Sequence, residues 1–387
     1  MAANPSRLAW LDALRGVAAL GVALHHGAWT FVPEFWAGVD GKVDVGTWGV
    51  FAFFLVSGYI IPASLERRGD LRAFWTGRAF RLLPLLLAAL ALALLLAYAG
   101  AFVPSPGLDR RPLALVALGN LTMLQELLGL PAVIGVMWTL SYEMAFYLMV
   151  AGLFAVRQAH RPAPIAVVLA LAAVPLGLLL PRATINGRAG AAALVLAVAV
   201  VLAVVASAGP YGVVRRAAAV IGGLLGLALV VLGSRGGAGQ GLVIAAMMFA
   251  GTAVYRAERG AIRWRTAAAV LSAVLACAVI AEDDPTHTVA IVLAAACFLA
   301  AFALRGRAFP RWLTHLGVIS FSLYLLHPLL LRIAPNLPLF FLATVALGHV
   351  TYRLVEAPGQ RLGRRLSGRS GARDGARGPT VGGWARS

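Results

Sequence analysis

Charged residues are scarce in this sequence. Only 12% of its 387 residues are Asp, Glu, Lys or Arg, whereas 61% are hydrophobic. A soluble protein of this length buries a large core but still needs a charged surface, which this composition does not supply. Apolar runs of about 17–25 residues, each long enough to cross a bilayer, recur along nearly the whole chain. The sequence therefore predicts an all-α, polytopic integral membrane bundle of about 10–12 transmembrane helices.

Cysteine and lysine are nearly absent as well. The two cysteines, Cys277 and Cys297, lie in different apolar runs, which excludes a disulfide framework and offers no metal-ligand spacing. Lys42 is the only lysine, so arginine supplies nearly all of the net charge of +18. The arginines gather between apolar runs and in the tail, a pattern typical of membrane topology and anionic lipid headgroups. We expect the lipid bilayer as a partner, no nucleic acid and no metal.

The arginine distribution also predicts the topology. With a cytoplasmic N-terminus, the inner loops collect most of the arginines, and one outer loop, 282–284, is acidic. The segment 113–130 is apolar but includes Asn120, Gln125 and Glu126. If it crossed the membrane, every later loop would change sides and the arginine bias would reverse. We therefore predict that it is re-entrant or lies against the bundle.

The domain boundaries follow from composition. Residues 1–358 are predicted to form the membrane domain, and 359–387, rich in Gly, Arg and Ser, to form a disordered cytoplasmic tail. Both termini are then cytoplasmic, in a multi-pass protein of the cell inner (plasma) membrane.

The first apolar segment contains polar side chains that a membrane helix does not need. The stretch LDALRGVAALGVALHH includes Asp12, Arg15, His25 and His26. Arg15 and His26 are eleven positions apart, which puts them on nearly the same helix face, about 16 Å apart along the axis. His25 points away and is expected to be replaceable. Ionisable residues in a span usually face the protein interior or a wet cavity. The alternative is that Asp12 pairs with Arg15 and that His26 is interfacial.

Three other segments contain candidate functional residues. Arg78 and Arg81 share a helix face at the inner end of the third span, where they could grip one phosphate or act as topological anchors. Glu143 lies mid-span and needs a proton, a cation or a histidine as partner. Ser57 and the glycine after it allow close helix approach, and no GxSxG elbow supports Ser57 as a nucleophile. Trp138 is compatible with ordinary packing.

These parts suit one mechanism. A histidine within reach of a carboxylate can act as general base on an acceptor hydroxyl. Arginines nearer the cytoplasm can hold the phosphates of an activated donor. The reacting groups would then meet inside the bundle.

Six motifs, in order, resemble those of the membrane acyltransferase 3 family, bacterial O-acyltransferases that modify envelope polysaccharides and some secondary metabolites. The motifs are LDALRG with Arg15 and His26, DVGTWGVFAFFLVSGYIIP from Asp44, GRAFRLLP, GNLTMLQ followed by MWTLSYEMAFY, ISFSLYLLHPLLL with His327, and YRLVEAP with Glu356. The resemblance covers the chain from about Leu11 to Gln360.

The resemblance implies that cytoplasmic acyl-CoA, commonly acetyl-CoA, is the co-substrate and that no further cofactor is needed. The acceptor is expected to be a hydroxyl of a cell-envelope glycan or a related molecule. The implied site residues are His26, Glu143 and Arg15 in catalysis, Arg78 and Arg81 in acyl-CoA binding, and Asp12, Asp44, Ser57 and Trp138 in support. From the residues alone, His327 could instead satisfy a carbonyl freed by Pro328, and Glu356 could pair with Arg353 or Arg361.

A transporter or flippase without acyl-transfer chemistry is the alternative function. Such a protein is expected to show an internal inverted repeat with paired broken helices. The two halves of this sequence have no such similarity, and the polar motifs crowd into the first 150 residues. A purely structural subunit would not need a buried set of His, Glu and Arg.

Overall fold

Most of the described chain is helical. The computed structural model describes residues 8–182, 184–185 and 190–375, and no β-strand occurs among them. The helices are α1 (Ala9–Phe31), α2 (Pro33–Asp40), α3 (Val45–Arg68), α4 (Leu71–Tyr98), α5 (Leu113–Leu121), α6 (Trp138–Ala155), α7 (Pro162–Leu179), α8 (Ala191–Ser207), α9 (Gly212–Gly233), α10 (Gly237–Glu258), α11 (Trp264–Ala281), α12 (Pro285–Ala303), α13 (Arg311–Val318), α14 (Ser320–Leu326), α15 (Leu337–Thr351) and α16 (Ala357–Gly375). The predicted all-α fold is confirmed.

The helix lengths fit a protein that crosses a membrane many times. In the described part of the chain, nine helices are long and apolar enough to span, and the bent pair formed by α13 and α14 makes a tenth if it counts as one span. Two further helices occupy positions at which the sequence predicts spans. These are α8, with 17 residues, and α1, with 23 residues and a hydropathy lowered by Asp12 and Arg15. The protein is a multi-pass membrane protein.

α10 is the central helix of the bundle and packs against α3, α7, α9 and α11. A side chain at Gly58 of α3 would overlap the backbone of Met248 in α10. At the same crossing, Thr252 Oγ1 donates a hydrogen bond of 2.8 Å to the Gly58 carbonyl. The glycine beside Ser57 therefore allows the close helix approach that the sequence predicts. This contact fixes the rotation of α3 relative to the helix at the centre.

The first of the two ends of the bundle, the acidic end, is defined by Asp44 and Asp283. Arg182 pairs with Asp283 at 3.2 Å, which joins the loop after α7 to the loop after α11. His287, at the start of α12, lies 3.2 Å from Asp44, at the start of α3. Loops that the sequence predicts to face outside therefore meet at one end.

The opposite end, the arginine end, is held by a second set of ion pairs. Arg215, at the start of α9, lies 3.9 Å from Asp70, which precedes α4. Arg305, after α12, lies 3.6 Å from Glu258, at the end of α10. Loops predicted to face the cytoplasm thus share this end, as the arginine bias requires.

The segment 113–130 does not cross the bundle, so this prediction is confirmed. α5 has only nine residues, about 13 Å of helix, and the chain then turns back. Buried Asn120 donates through Nδ2 to the Pro131 carbonyl at 3.0 Å and accepts at Oδ1 from the Val133 amide at 2.9 Å. Gln125, also buried, donates to the carbonyl that precedes α6. These amides satisfy the non-helical backbone at this depth, as a membrane requires.

The span predicted near 316–334 is broken. α13 and α14 are bent by 58° around Ile319, and a 3₁₀ turn, His327–Leu330, follows. Pro328 lacks the amide hydrogen that a continuing α-helix would need. The break matters because it turns His327 towards the interior, where its side chain is fully buried.

The tail also differs from its prediction. Disorder was expected from Gly359, but α16 continues to Gly375, while 376–387 lie outside the described residues. A Cβ on Gly359 would lie 2.8 Å from Pro84 of α4, and one on Gly363 would lie 2.6 Å from Phe80. Because Gly359 and Gly363 have no side chain, α16 lies directly against α4.

We predict that Gly58→Ala destabilises the bundle, whereas Gly38→Ala does not. The added methyl of Gly58→Ala overlaps the Met248 backbone, and overpacking of this kind costs about 1–3 kcal/mol. Gly38, inside α2, has no atom within 4 Å of the position of an added Cβ, so the same substitution there is harmless or slightly stabilising. Thermal unfolding of both variants in detergent measures the difference. Equal melting temperatures would contradict the close crossing of α3 and α10.

We predict that cysteines at positions 42 and 283 react with an impermeant maleimide in intact cells, whereas cysteines at 68 and 259 do not. The first two positions lie at the acidic end and the others at the arginine end, and positive residues favour the cytoplasm. The native Cys277 and Cys297 are first replaced by alanine. Labelling at 259 before the cells are opened would reverse the proposed orientation.

Candidate active site

An open cleft enters the bundle between α1, α3, α4, α6 and α14. It is lined by Arg15, Ser57, Arg78, Arg81 and Glu143. These residues come from four helices, and the sequence singles out each of them. The fold therefore brings five of the predicted site residues together in one cleft.

The arginines of the cleft form no close ion pair among the described residues, although carboxylates interact with them at longer range. Among the described residues, no carboxylate lies within 4.0 Å of the guanidinium of Arg15, Arg78 or Arg81. Arg78 is only 8% exposed, and its Cζ lies 5.4 Å from the Phe74 ring centre and 5.1 Å from that of Tyr147. Aromatic faces stabilise a cation without neutralising it. Three arginines without a close ion pair, held in one cleft of a membrane protein, suit a polyanionic ligand.

Carboxylates surround this cluster at longer range. Asp12 and Glu143 interact electrostatically with Arg15, although neither forms an ion pair with it. The Tyr147 hydroxyl donates a hydrogen bond to Glu143. Asp12 and Arg15 thus do not form the simple local pair that was the alternative interpretation of α1, and Arg15 stays available to the cleft.

Glu356 also faces the arginine cluster. Its side chain is buried, accepts hydrogen bonds of 3.0 Å from Ser322 and Gln360, and interacts electrostatically with Arg81 and Arg15. The sequence favoured pairing with a flanking arginine, and this expectation is wrong. A π-helical turn, Tyr352–Glu356, ends in this residue, and the altered helical register rotates its side chain inward.

His26 pairs with His327. The Nδ1 atom of His26 lies 3.1 Å from Nε2 of His327 and 3.0 Å from the Val22 carbonyl oxygen. Nδ1 of His327 lies 3.2 Å from the Leu323 carbonyl oxygen. A carbonyl can only accept, so Nδ1 of each ring carries its hydrogen, and the single hydrogen on His26 Nδ1 is shared between the Val22 carbonyl and the lone pair on His327 Nε2. Neutral His26 is then left with a lone pair on Nε2, the atom that a general base needs.

The cleft and the histidine pair meet at Tyr324. Its ring packs edge-on against Phe53 at 5.7 Å, and its centre lies 6.2 Å from that of His327. The Tyr324 hydroxyl donates to the Val136 carbonyl at 2.9 Å, which holds the ring in place. Phe53 and Tyr324 line the cleft, whereas His26 does not. The shared helical stripe of Arg15 and His26 is therefore interrupted by residues of other helices.

Glu143 is not the partner of His26, which corrects the predicted dyad. Glu143 bonds to Tyr147 in its own helix, and the ring beside His26 belongs to His327, 301 positions along the chain. The residues alone offered His327 as one that could satisfy a backbone carbonyl, and the family resemblance placed it in a motif without giving it a role. Its place before a proline in an apolar segment was the available signal.

Three predicted supporting residues, Asp12, Trp138 and Asp44, do not line the cleft. Trp138 begins α6 and packs edge-on against Phe54 and Tyr142. Asp44 caps α3 at the acidic end. Burial alone would raise the pKa of Asp44, but hydrogen bonds from His287 and from Thr47 lower it to about 2. Asp44 is therefore a charged carboxylate at neutral pH, on the far side from the arginines.

Comparison with known proteins identifies the family of this chain. The chain matches the family described as an acyltransferase domain, acyltransferase 3, over residues 8–349. No curated protein and no solved structure matches the chain. The matched range contains the cleft arginines, Glu143 and both members of the histidine pair. The chain therefore belongs to the acyltransferase 3 family.

Proposed function

We propose that this protein transfers an acyl group, in the first instance acetyl, from acyl-CoA to a hydroxyl of a cell-envelope glycan or a related acceptor. Family membership supports acyl transfer in general. The observation that carries the finer proposal is the meeting of an arginine-lined cleft with the His26–His327 pair at Tyr324. The cleft suits the phosphates of a donor, and the imidazole suits the removal of a hydroxyl proton.

In the proposed step, His26 Nε2 accepts the proton of the acceptor hydroxyl while the hydroxyl oxygen attacks the thioester carbonyl carbon. The carbon–sulfur bond breaks, and the leaving thiolate takes the proton from His26. The products are the ester and free CoA. His327 is a positioning residue, because its Nε2 accepts the hydrogen bond from His26 Nδ1 and so stabilises the imidazolium.

The donor is proposed to lie along α1. Arg15, Arg78 and Arg81 hold the phosphates of CoA, since a guanidinium matches a phosphate with two parallel hydrogen bonds. The eleven-residue interval from Arg15 to His26 spans about 16 Å along a helix axis. The pantetheine arm of CoA likewise separates its phosphates from the thioester. Phe53 and Tyr324, the aromatic pair at the end of the cleft, favour a short acyl group over a long one.

The two substrates are proposed to approach from opposite ends. The arginines lie nearer the arginine end, which we assign to the cytoplasm of the inner (plasma) membrane. His26 lies five residues before the end of α1, towards the acidic end, where an envelope acceptor could enter. The reaction as proposed needs acyl-CoA as co-substrate and no redox group.

We predict that His26→Ala lowers acyl transfer by about 10²–10⁴-fold, the usual contribution of a general base. His327→Ala lowers kcat with little change in the KM for acyl-CoA, and the double variant is hardly worse than His26→Ala, because the two residues act as a unit. The measurement follows label from acetyl-CoA into lipid-linked or polymeric glycans, in membranes that contain equal amounts of each variant. A transporter would show no label in any sample.

His349→Ala is the matched control. His349 Nδ1 lies 2.9 Å from His315 Nε2, so this variant also removes one ring of a histidine pair. Neither residue lines the cleft. Two outcomes would contradict the proposed role of His26 as general base. One is a loss of transfer in His349→Ala as large as that in His327→Ala, and the other is full transfer in His26→Ala.

We predict that Arg78→Ala and Arg81→Ala each raise the KM for acyl-CoA, while lysine at either position restores binding only in part because it lacks the bidentate fork. Arg72→Ala is the control, since Arg72 is an exposed arginine of the same helix that does not line the cleft. Steady-state kinetics with labelled donor measure the effect. If the Arg78 and Arg81 variants show the same donor kinetics as Arg72→Ala, the two arginines do not bind the donor and act only as topological anchors.

A further inference from the structure

A second cluster of ionisable side chains lies at the acidic end, outside the cleft. His25 comes from α1, Asp40 ends α2, and Asp44 precedes α3. One potential ligand atom from each side chain lies within 4.8 Å of the other two. None of the three takes part in the acyl-transfer step proposed above. The sequence alone treated His25 as replaceable, but the structure gives it two carboxylate neighbours.

The spacing within the cluster differs from that of a strong hydrogen bond. His25 Nδ1 lies 3.3 Å from Asp40 Oδ1 and 3.6 Å from Asp44 Oδ1, whereas a charge-assisted hydrogen bond measures about 2.7–2.9 Å. The Nδ1 atom and Asp40 Oδ1 are both buried and make no hydrogen bond. Around a tetrahedral zinc ion with bonds of about 2.0–2.2 Å, ligand atoms lie about 3.3–3.6 Å apart. Both distances from His25 Nδ1 fall in this range.

The remaining oxygen of Asp44 is held from outside the cluster. Asp44 Oδ2 lies 3.2 Å from His287 Nε2, and His287 Nδ1 lies 3.5 Å from Glu282. The Thr47 amide donates to Asp44 Oδ1 at 2.7 Å. Metal-binding side chains are characteristically oriented by such outer hydrogen bonds. Asp44 is therefore fixed in place before any ion arrives.

The walls of the cluster leave room for its three side chains. A Cβ on Gly46 would lie 3.0 Å from His25 Cδ2 and 3.1 Å from Asp44 Oδ1. Trp36 is buried and packs edge-on against the His25 ring at 6.3 Å. The absence of a side chain at Gly46 and the ring of Trp36 together shape a partly enclosed polar space.

We propose that His25, Asp40 and Asp44 bind one divalent transition-metal ion of the zinc class, with a fourth position left to water. One imidazole nitrogen and two carboxylate oxygens form a ligand set that Zn²⁺ accepts. The ion joins α1, α2 and the start of α3. Since His25 precedes His26, the ion also fixes the turn of α1 that carries His26.

The test is metal binding by the purified full-length protein in detergent. After the protein is stripped with a chelator, Zn²⁺ is titrated by calorimetry and the bound zinc is counted by elemental analysis. We expect one zinc per chain and a higher melting temperature with zinc. His25→Ala and Asp40→Asn should each lose stoichiometric binding, and His287→Ala should weaken it by about 10–100-fold, as outer partners do.

Two controls separate this site from other sources of zinc binding. His349→Ala removes the other histidine pair, and Asp109→Asn removes a carboxylate outside the cluster, so both should bind zinc as the wild type does. The proposal is overturned if the wild type binds no zinc above background, if zinc persists in both His25→Ala and Asp40→Asn, or if His349→Ala abolishes binding. Should His25→Ala fail to fold, the wild-type titration and Asp40→Asn still decide the question.

Discussion

A positive charge inside a bilayer has to face a partner or a wet cavity, and the arrangement of this bundle depends on that constraint. Arg15, Arg78 and Arg81 lie on two helices, and both helices turn these residues to one cleft. The aromatic rings beneath Arg78 hold its charge in place without cancelling it. The close crossing of α3 and α10 and the contact of α16 with α4 then fix the helices that form the cleft wall.

Backbone carbonyls orient the histidine pair, which lies beyond Tyr324 at the end of the cleft. The carbonyls of Val22 and Leu323 each engage one imidazole nitrogen, and these contacts determine which nitrogen of His26 is free. The two interpretations of His327 are therefore compatible. Its Nδ1 satisfies a carbonyl near the proline break, and its Nε2 meets His26. A helix break that looks like a packing defect supplies the orientation of the proposed base.

The sequence could predict the features that depend on a single helix. Hydropathy located the spans, the arginine bias separated the loops, and the cost of a charge in lipid identified Arg15 and Glu143 as inward-facing. Features that depend on the rotation of two helices were not predictable. The His26–His327 contact joins residues 301 positions apart, and helical periodicity says nothing about which neighbour a face will meet. Gly359 looked like the start of disorder because composition does not reveal packing against α4.

The adjacency of His25 and His26 constrains how α1 can vary. Consecutive residues of a helix point about 100° apart, and here one ring enters the cluster with Asp40 while the next meets His327. Arg15, nearer the start of the same helix, faces the cleft. An insertion or deletion between Arg15 and His25 would rotate all that follows and misplace both histidines relative to the arginine. α1 therefore admits changes in its apolar side chains far more readily than any change in its length.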